Sequence, residues 1–312
     1  VAALRVTITG ATGLIGRHLT AELRRRGAQV TVLSRDPPRA QQALSATADS
    51  SLRVLPWEPL RGPAPAPALA GRDAVVHLAG ESIAQRWSAR AMRAIRDSRV
   101  VGTGNLVEAL RGAEPCPRAL LSASAVGYYG ARGEEPIDED APPGSDFLAA
   151  VCTAWETQAE RAREFGMRVA QFRNGVVLDE HGGALGAMLT PFRLGLGGPV
   201  AGGRQYISWI HRDDLVAMIL AALEDERWSG PVNGTAPEPV SNREFATALG
   251  AALHRPARLP VPGIVLRARY GQLAQTLTTG ARVLPAKPLV LGYRFRYPQV
   301  RGALAAALSG RS

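Results

Sequence analysis

The sequence predicts a doubly wound α/β protein, a parallel sheet with helices on both faces, followed by a smaller C-terminal domain. Three observations carry this. A short alternating strand (Leu4, Val6, Ile8) runs directly into Gly10-Ala11-Thr12-Gly13-Leu14-Ile15-Gly16 and then into a helix with Ile15, Leu19 and Leu23 on one face. Apolar strands then alternate with helical stretches as far as Gly175. Beyond Gly175 that rhythm gives way to glycine-heavy sequence.

The opening strand, turn and helix bring backbone N–H groups to a helix N-terminus, where a dinucleotide's diphosphate binds in a Rossmann-type sheet. Gly10 allows the tight turn, Gly13 lets the backbone approach the phosphates, and Gly16 lets the helix pack on the strand. Thr12, Leu14 and Ile15 complete that loop. Gly27 ends the helix, and Gln29–Leu33 reads as the second strand, at whose end the adenosine ribose lies. Ser34 and Arg35 stand there. A hydroxyl and a guanidinium suit a 2′-phosphate, whereas a carboxylate would repel it, so the expected cofactor is NADP(H). Asp36 is the competing residue. It falls one step further on, in the Asp36-Pro37-Pro38 turn. The bland alternative is that Arg35 is one more arginine in an arginine-rich chain.

Three further strands follow. Pro56, Pro59, Pro63, Pro65 and Pro67 around Trp57 read first as a surface excursion. Ala74–Gly80 is then a buried strand opening at Ala79-Gly80 onto the cofactor crevice, with His77 inside it as a core histidine. A long helix runs from about Ser88 to Leu110 and carries Arg99 midway. Ala119–Ser124 is the next strand, ending in hydroxyls just before Tyr128 and Tyr129. Asp146 starts a helix that Gly166 stops, and Val169–Arg173 is the strand after it. Tyr206–His211 reads as a strand, Asp213–Leu223 as a helix, and Ser241-Asn242-Arg243-Glu244 has capping-box spacing. The expected division is 1–175 with 207–225 in the dinucleotide domain, and 176–206 with 226–312 in the smaller one.

Composition excludes several classes. With 312 residues, 46% hydrophobic and 21% charged, the chain can bury a sizeable core. Its longest apolar run, Leu215–Leu223, is far short of a membrane span, and no basic-then-apolar leader opens it. Cys116 and Cys152 lack metal-ligand spacing, so no metal is expected and a reducing, cytoplasmic setting is the simple inference. The net charge of +10 comes from dispersed arginines beside a single lysine, Lys287, without the aromatic interleaving of a nucleic-acid platform. The expected partner is a small-molecule substrate, with no nucleic acid and no membrane; a homodimer is left open.

At this point the chain resembles the short-chain dehydrogenase/reductases in their extended, epimerase-like branch. The glycine spacing, His77-Leu78-Ala79-Gly80, the Ser124 strand end and Trp209-Ile210-His211-Arg212-Asp213-Asp214-Leu215 carry the likeness. More narrowly it resembles the atypical "epimerase family protein" subgroup, through Trp155-Glu156, Arg193–Pro199, Ser208–His211 and Gly292–Pro298. The resemblance implies that Ser34 and Arg35 hold the 2′-phosphate. It implies that Leu78, Ala79, Gly80 and Glu81 pass along the cofactor and that Arg99 reaches it from the long helix. Ser122 and Gly175 are further expected cofactor contacts, and Val177 would border the nicotinamide.

Active members of that superfamily use a Tyr with a Lys four residues later, near a Ser. Aligned by Glu156, those two positions hold Leu148 and Cys152, and no Tyr-x-x-x-Lys occurs anywhere in the chain. Ser124 is the expected orienting hydroxyl, with Tyr128 or Tyr129 as proton donor and His211 further off. Two functions from different classes therefore stand: an NADP(H)-dependent oxidoreductase or epimerase-like enzyme acting on a small polar carbonyl or hydroxyl compound, and a non-catalytic NADPH-binding sensor or scaffold.

Overall fold

The computed structural model describes residues 3–44 and 51–309. Its main sheet has seven strands, numbered here along the chain: β1 (Arg5–Thr9), β2 (Gln29–Ser34), β3 (Leu52–Pro56), β4 (Ala74–His77), β5 (Ala119–Ala125), β6 (Arg168–Asn174) and β7 (Gly230–Gly234). In space they lie in the order β7-β6-β5-β4-β1-β2-β3, and every pair is parallel. The longer helices are α1 (Leu14–Arg25), α2 (Ala89–Arg111), α3 (Phe147–Glu160), α4 (Gly183–Arg193), α5 (Arg212–Glu224), α6 (Asn242–Ala252) and α7 (Val300–Leu308).

Strand alternation sorts the core into two layers. Val6, Ile8, Val30 and Val32 pack with Leu19 and Leu23 of α1 and Leu215 and Ile219 of α5 on one face. Val75, Leu120 and Val169 pack with Leu106 and Leu110 of α2 and Ala159 of α3 on the other. Buried on both sides, the central strands carry near-continuous apolar runs, as parallel strands must. The strand order reverses between β1 and β4, so the carboxyl ends of these two flank the ligand crevice.

Three local expectations hold. Asp146 caps α3 by accepting the Ala149 N–H, Ser241 and Glu244 form a full capping box, and Gly166 closes the α3 region in the left-handed conformation. His77 is fully buried between the Thr9 and Thr103 hydroxyls, and burial pushes its pKa down to about 4.

Two expectations need correction. The proline-rich stretch is more than a surface excursion. β3 precedes it at the sheet edge, Trp57 is buried with its indole N–H on the Gly62 carbonyl, and a short helix, Ala66–Leu69, follows. One large aromatic on the Leu33–Leu55 cluster pulls the segment onto the sheet despite its prolines. The chain also returns to the sheet later than 207–225. Trp209–His211 pairs with Val176–Leu178 in a separate two-stranded piece, and the seventh sheet strand is Gly230–Gly234. A Gly-Pro start masks that strand's pattern in sequence.

The C-terminal residues tie both parts together. α7 packs on α6 with Trp209 and Phe245 in a third apolar cluster. Asp214, buried in α5, accepts the Tyr293 hydroxyl at 3.0 Å and the N–H groups of Arg296 and Tyr297 at 2.8 and 2.9 Å. Asp214→Ala strips the Arg296 and Tyr297 N–H groups of their acceptor, while the Tyr293 hydroxyl keeps the Asp214 carbonyl at 3.1 Å, and is expected to cost about 2 kcal/mol. Hydrogen exchange should show protection lost across 293–297, and unchanged exchange there would refute the assignment.

Candidate functional site

The crevice is built from the ends of β1, β2 and β4. Gly13 is the N-cap of α1 and offers no side-chain cap, so the first N–H groups of the helix face outward without a protein acceptor. Two of the three glycines are required by space. A Cβ on Gly10, at φ +69°, would stand 2.7 Å from the Leu78 carbonyl carbon, and one on Gly16 would stand 2.2 Å from the Gly10 oxygen. A Cβ on Gly13 would meet only the Gly10 oxygen, at 3.2 Å. The turn therefore closes against β4 on one side and α1 on the other, leaving Gly13 at the open mouth.

The crevice, about 290 Å³, is lined by Gly10, Thr12, Gly13, Ser34, Arg35, Leu78, Ala79, Gly80 and Glu81 among others. It also takes in Trp57, Glu58, Pro59 and Leu60, and Ala94 and Ser98 of α2. Sequence reasoning missed Trp57–Leu60 as site residues. The signal was there in Trp57, the one aromatic residue amid prolines. Asp36 does not line the crevice. Its Oδ1 accepts the Arg39 N–H, and its own N–H is held by Ser34 Oγ at 3.1 Å. Arg35 is exposed beside it. One oxygen of the carboxylate thus caps the Pro37–Leu44 helix, and the crevice lining at the end of β2 keeps a hydroxyl and a guanidinium. This fits a dinucleotide bearing an extra phosphate.

Arg99 comes from α2 to the carboxyl end of β4. Its Nη1 donates to the carbonyls of Glu81 at 3.0 Å and Ile95 at 3.1 Å, and its guanidinium lies over the Trp155 ring at 5.2 Å. Gly80 admits it, because a Cβ there would be 3.2 Å from the guanidinium carbon.

Three other residues expected at the cofactor are placed differently. The Ser122 hydroxyl is buried on a backbone carbonyl. Gly175 is needed for packing, since a Cβ there would stand 2.5 Å from the Ser208 oxygen. Val177 is half-buried and pairs with Ile210. None of the three lines the crevice.

The catalytic expectations fare differently from the cofactor ones. Ser124 is 3% exposed and donates to Glu156 Oε1 at 2.6 Å. Glu156 in turn holds Arg173 through Nε at 2.9 Å and Nη2 at 2.8 Å. Burial opposes the Arg173 charge, but the Glu156 hydrogen bonds outweigh it and hold its pKa above the usual range. Arg173 Nη1 donates to the Tyr129 hydroxyl at 2.9 Å, and that hydroxyl donates to Asn233 Oδ1 at 2.7 Å. Tyr129 has no exposed surface, and burial pushes its pKa up to about 12. It is a structural tyrosine with both roles of its hydroxyl taken, which corrects its expected role as proton donor. Tyr128 is half-buried, with the Arg173 guanidinium 3.5 Å from its ring centroid. Cys152 is buried beside Ser124, with a pKa pushed up to about 12 by burial and by Glu156. His211 caps α5 through Nδ1 and lies against Tyr297 at 4.0 Å, buried away from this cluster, so it is no alternative acid.

A second cavity, about 480 Å³, opens where α3 begins. Trp87, Arg132, Ser145, Asp146, Phe147 and Leu148 face Gln272, Gln275 and Thr276 across it. The Leu273–Thr278 helix supplies much of that far wall.

A sequence model described as the NAD dependent epimerase/dehydratase family matches residues 6–233. The chain belongs to that family. A domain of unknown function, DUF1731, matches 261–307, the part that walls the second cavity and anchors to Asp214. The chain is 40% identical over 307 residues to the Arabidopsis thaliana "Epimerase family protein SDR39U1 homolog, chloroplastic", covering 98% of this chain and 87% of that one. It is 35% identical to the Bacillus subtilis "Epimerase family protein YfhF", covering 99% of both. Among solved structures, human epimerase family protein SDR39U1 (isoform 2) with NADPH superposes with a TM-score of 0.85 at 36% identity, covering 97% of this chain and 99% of that one. A UDP-glucuronic acid 4-epimerase from Bacillus cereus, 17% identical with a TM-score of 0.80, shares the fold. Among the described residues no helix is long and apolar enough to cross a membrane, and no cluster of potential ligands suits a metal ion.

Proposed function

We propose that this chain binds NADP(H) and acts as an atypical oxidoreductase or epimerase-like enzyme on a small polar carbonyl or hydroxyl compound. The observation that carries the cofactor choice is the end of β2, where Ser34 and Arg35 face the crevice and the Asp36 carboxylate is engaged elsewhere. The human relative's NADPH supports the same choice. In this reading the α1 N-terminus and Gly13 hold the diphosphate, Arg35 and Ser34 the 2′-phosphate, and Trp57–Leu60 the adenosine side. The bound nicotinamide would supply or accept hydride.

The substrate's place in this reading is the larger cavity. It adjoins α3 at Leu148, and its Ser145, Gln272, Gln275 and Thr276 offer neutral donors and acceptors for a polar compound. The Ser124 hydroxyl already donates its hydrogen bond to Glu156, so it offers a substrate no donor. Tyr128 is the remaining proton source of the three residues expected from sequence.

The closed arrangement of Ser124, Cys152 and Glu156 favours the second reading, a non-catalytic NADPH-binding sensor or scaffold. NADPH oxidation against a panel of aldehydes, ketones and keto sugars separates the two. Turnover that falls with Tyr128→Phe supports the enzyme. Tight NADPH binding without turnover supports the sensor.

Arg35→Ala is expected to weaken NADPH binding by about 10- to 100-fold, since a charge-assisted contact to phosphate is lost. NADH binding should stay the same by calorimetry. Equal losses for both would place the 2′-phosphate elsewhere.

A further inference from the structure

Among the described residues, three arginines are largely withdrawn from water near the carboxyl edge of the sheet or beside it. Arg173 has Glu156 and Arg212 has Asp179, each a carboxylate within 3.0 Å. Arg99 has none. It donates to two backbone carbonyls and lies over the face of Trp155, whose buried indole N–H is itself without a partner. The titratable groups around it are Glu81, Cys152 and His77. Cys152 and His77 are neutral near pH 7, and Glu81 raises the Arg99 pKa without an ion pair to it among the described residues. Burial pulls the Arg99 pKa down, and the opposing effects of Cys152 and Glu81 do not reverse it. Leaving a buried cation without a counter-charge is costly unless a ligand supplies what the protein does not.

Strand order says which part of the ligand meets it. Arg35 stands at the end of β2 and the diphosphate turn at the end of β1. A dinucleotide laid from β2 across β1 carries its nicotinamide half over β4 and β5. Arg99 enters against Gly80, just past β4, with α3 residues that face β5 behind it.

We propose that Arg99 is a redox-selectivity residue: its largely buried guanidinium, without a carboxylate ion pair, favours the neutral dihydronicotinamide of NADPH and opposes the pyridinium cation of NADP+. This rests on the NADP(H) reading above. The two cofactor forms differ at this end by one positive charge on the ring. A fixed like charge in a partly dehydrated site separates their affinities by about 10- to 100-fold. An arginine cannot relieve the conflict by losing its proton.

The test measures dissociation constants for NADPH, NADP+ and 2′-phospho-ADP-ribose, which has the phosphates and lacks the nicotinamide. Wild-type protein should bind NADPH about 10-fold or more tighter than NADP+. Arg99→Met should bring that ratio to within about 2-fold, and Arg99→Lys, which keeps the charge, should retain most of it. If Arg99→Met weakens all three ligands equally, the residue is a diphosphate clamp and the proposal is overturned. An unchanged NADP+ to NADPH ratio in Arg99→Met overturns it as well. Binding of NADPH and NADP+ with equal wild-type affinity would also overturn it while leaving the NADP(H) reading intact. If wild-type protein binds none of the three, the NADP(H) reading itself falls and takes the proposal with it.

Discussion

Gly16→Ala is expected to leave little folded protein, whereas Gly13→Ala should fold and lose cofactor. The difference lies in what the added methyl would meet. At Gly16 it would be 2.2 Å from the Gly10 oxygen and 2.6 Å from the Ala11 Cα, both backbone atoms of the turn that α1 rests on. Neither can move without pulling β1 away from β4. Overpacking of this kind costs about 1–3 kcal/mol and occasionally more, and a clash with backbone belongs at the upper end. Gly10→Ala combines a similar clash, 2.7 Å to the Leu78 carbonyl carbon, with a left-handed φ of +69° that alanine resists by about 1–2 kcal/mol. Gly13 is different. Its φ is −74° and its methyl would touch one oxygen at 3.2 Å, so the fold tolerates it while the methyl stands in the mouth where phosphates approach. Thermal unfolding should rank Gly16→Ala and Gly10→Ala well below Gly13→Ala. Calorimetry should show NADPH affinity reduced by about 10-fold or more in Gly13→Ala, the loss of roughly one charge-assisted contact. A Gly16→Ala protein as stable as wild type would mean that α1 does not sit on its turn as described.

The same glycines show why the cofactor half of the site could be read from sequence. A phosphate loop is local. Its spacing, its strand and its helix are contiguous, so Gly10–Gly16 and Ser34-Arg35 announce themselves. Arg99 was harder. On α2 it resembles any solvated helix arginine, and only its depth against Gly80 and Trp155 sets it apart. Trp57–Leu60 lay in a proline-broken stretch with no period to follow. β7 was hidden by Gly230-Pro231, where pairing with β6 decides the strand and local pattern does not. The catalytic half was least legible, because nearness to a strand end says nothing of burial. Tyr128 and Tyr129 are adjacent in sequence, yet one ring is half-buried and the other fully so. Asn233, Glu139 and Lys287, distant in the chain, close the Tyr129 side of the cluster: Glu139 accepts the N–H groups of Asn233 and Lys287, and the Lys287 ammonium donates to the Ser229 carbonyl.

That cluster carries the largest expected loss of stability outside the phosphate loop. Glu156→Gln keeps the shape of the side chain and removes its charge. Arg173 is then left 4% exposed among neutral groups only: the new amide, the Tyr129 hydroxyl, the Glu139 carbonyl and the Tyr128 ring. Breaking a buried pair from one side typically costs about 3–5 kcal/mol, because the surviving charge is stranded in a poor solvent. Ser124→Ala removes a single donor from a carboxylate that keeps its arginine, and should cost about 1–2 kcal/mol. Removing both residues of the pair, as Glu156→Leu with Arg173→Met, should recover part of the loss, since no lone charge remains. Urea unfolding of Glu156→Leu, Arg173→Met and the double variant gives the coupling energy of the pair. If Glu156→Gln is no worse than Ser124→Ala, the Arg173 charge is compensated by something other than Glu156. A large fall in NADPH-dependent turnover for Ser124→Ala with unaltered stability would return that hydroxyl to the chemistry and undo its assignment to the buried network.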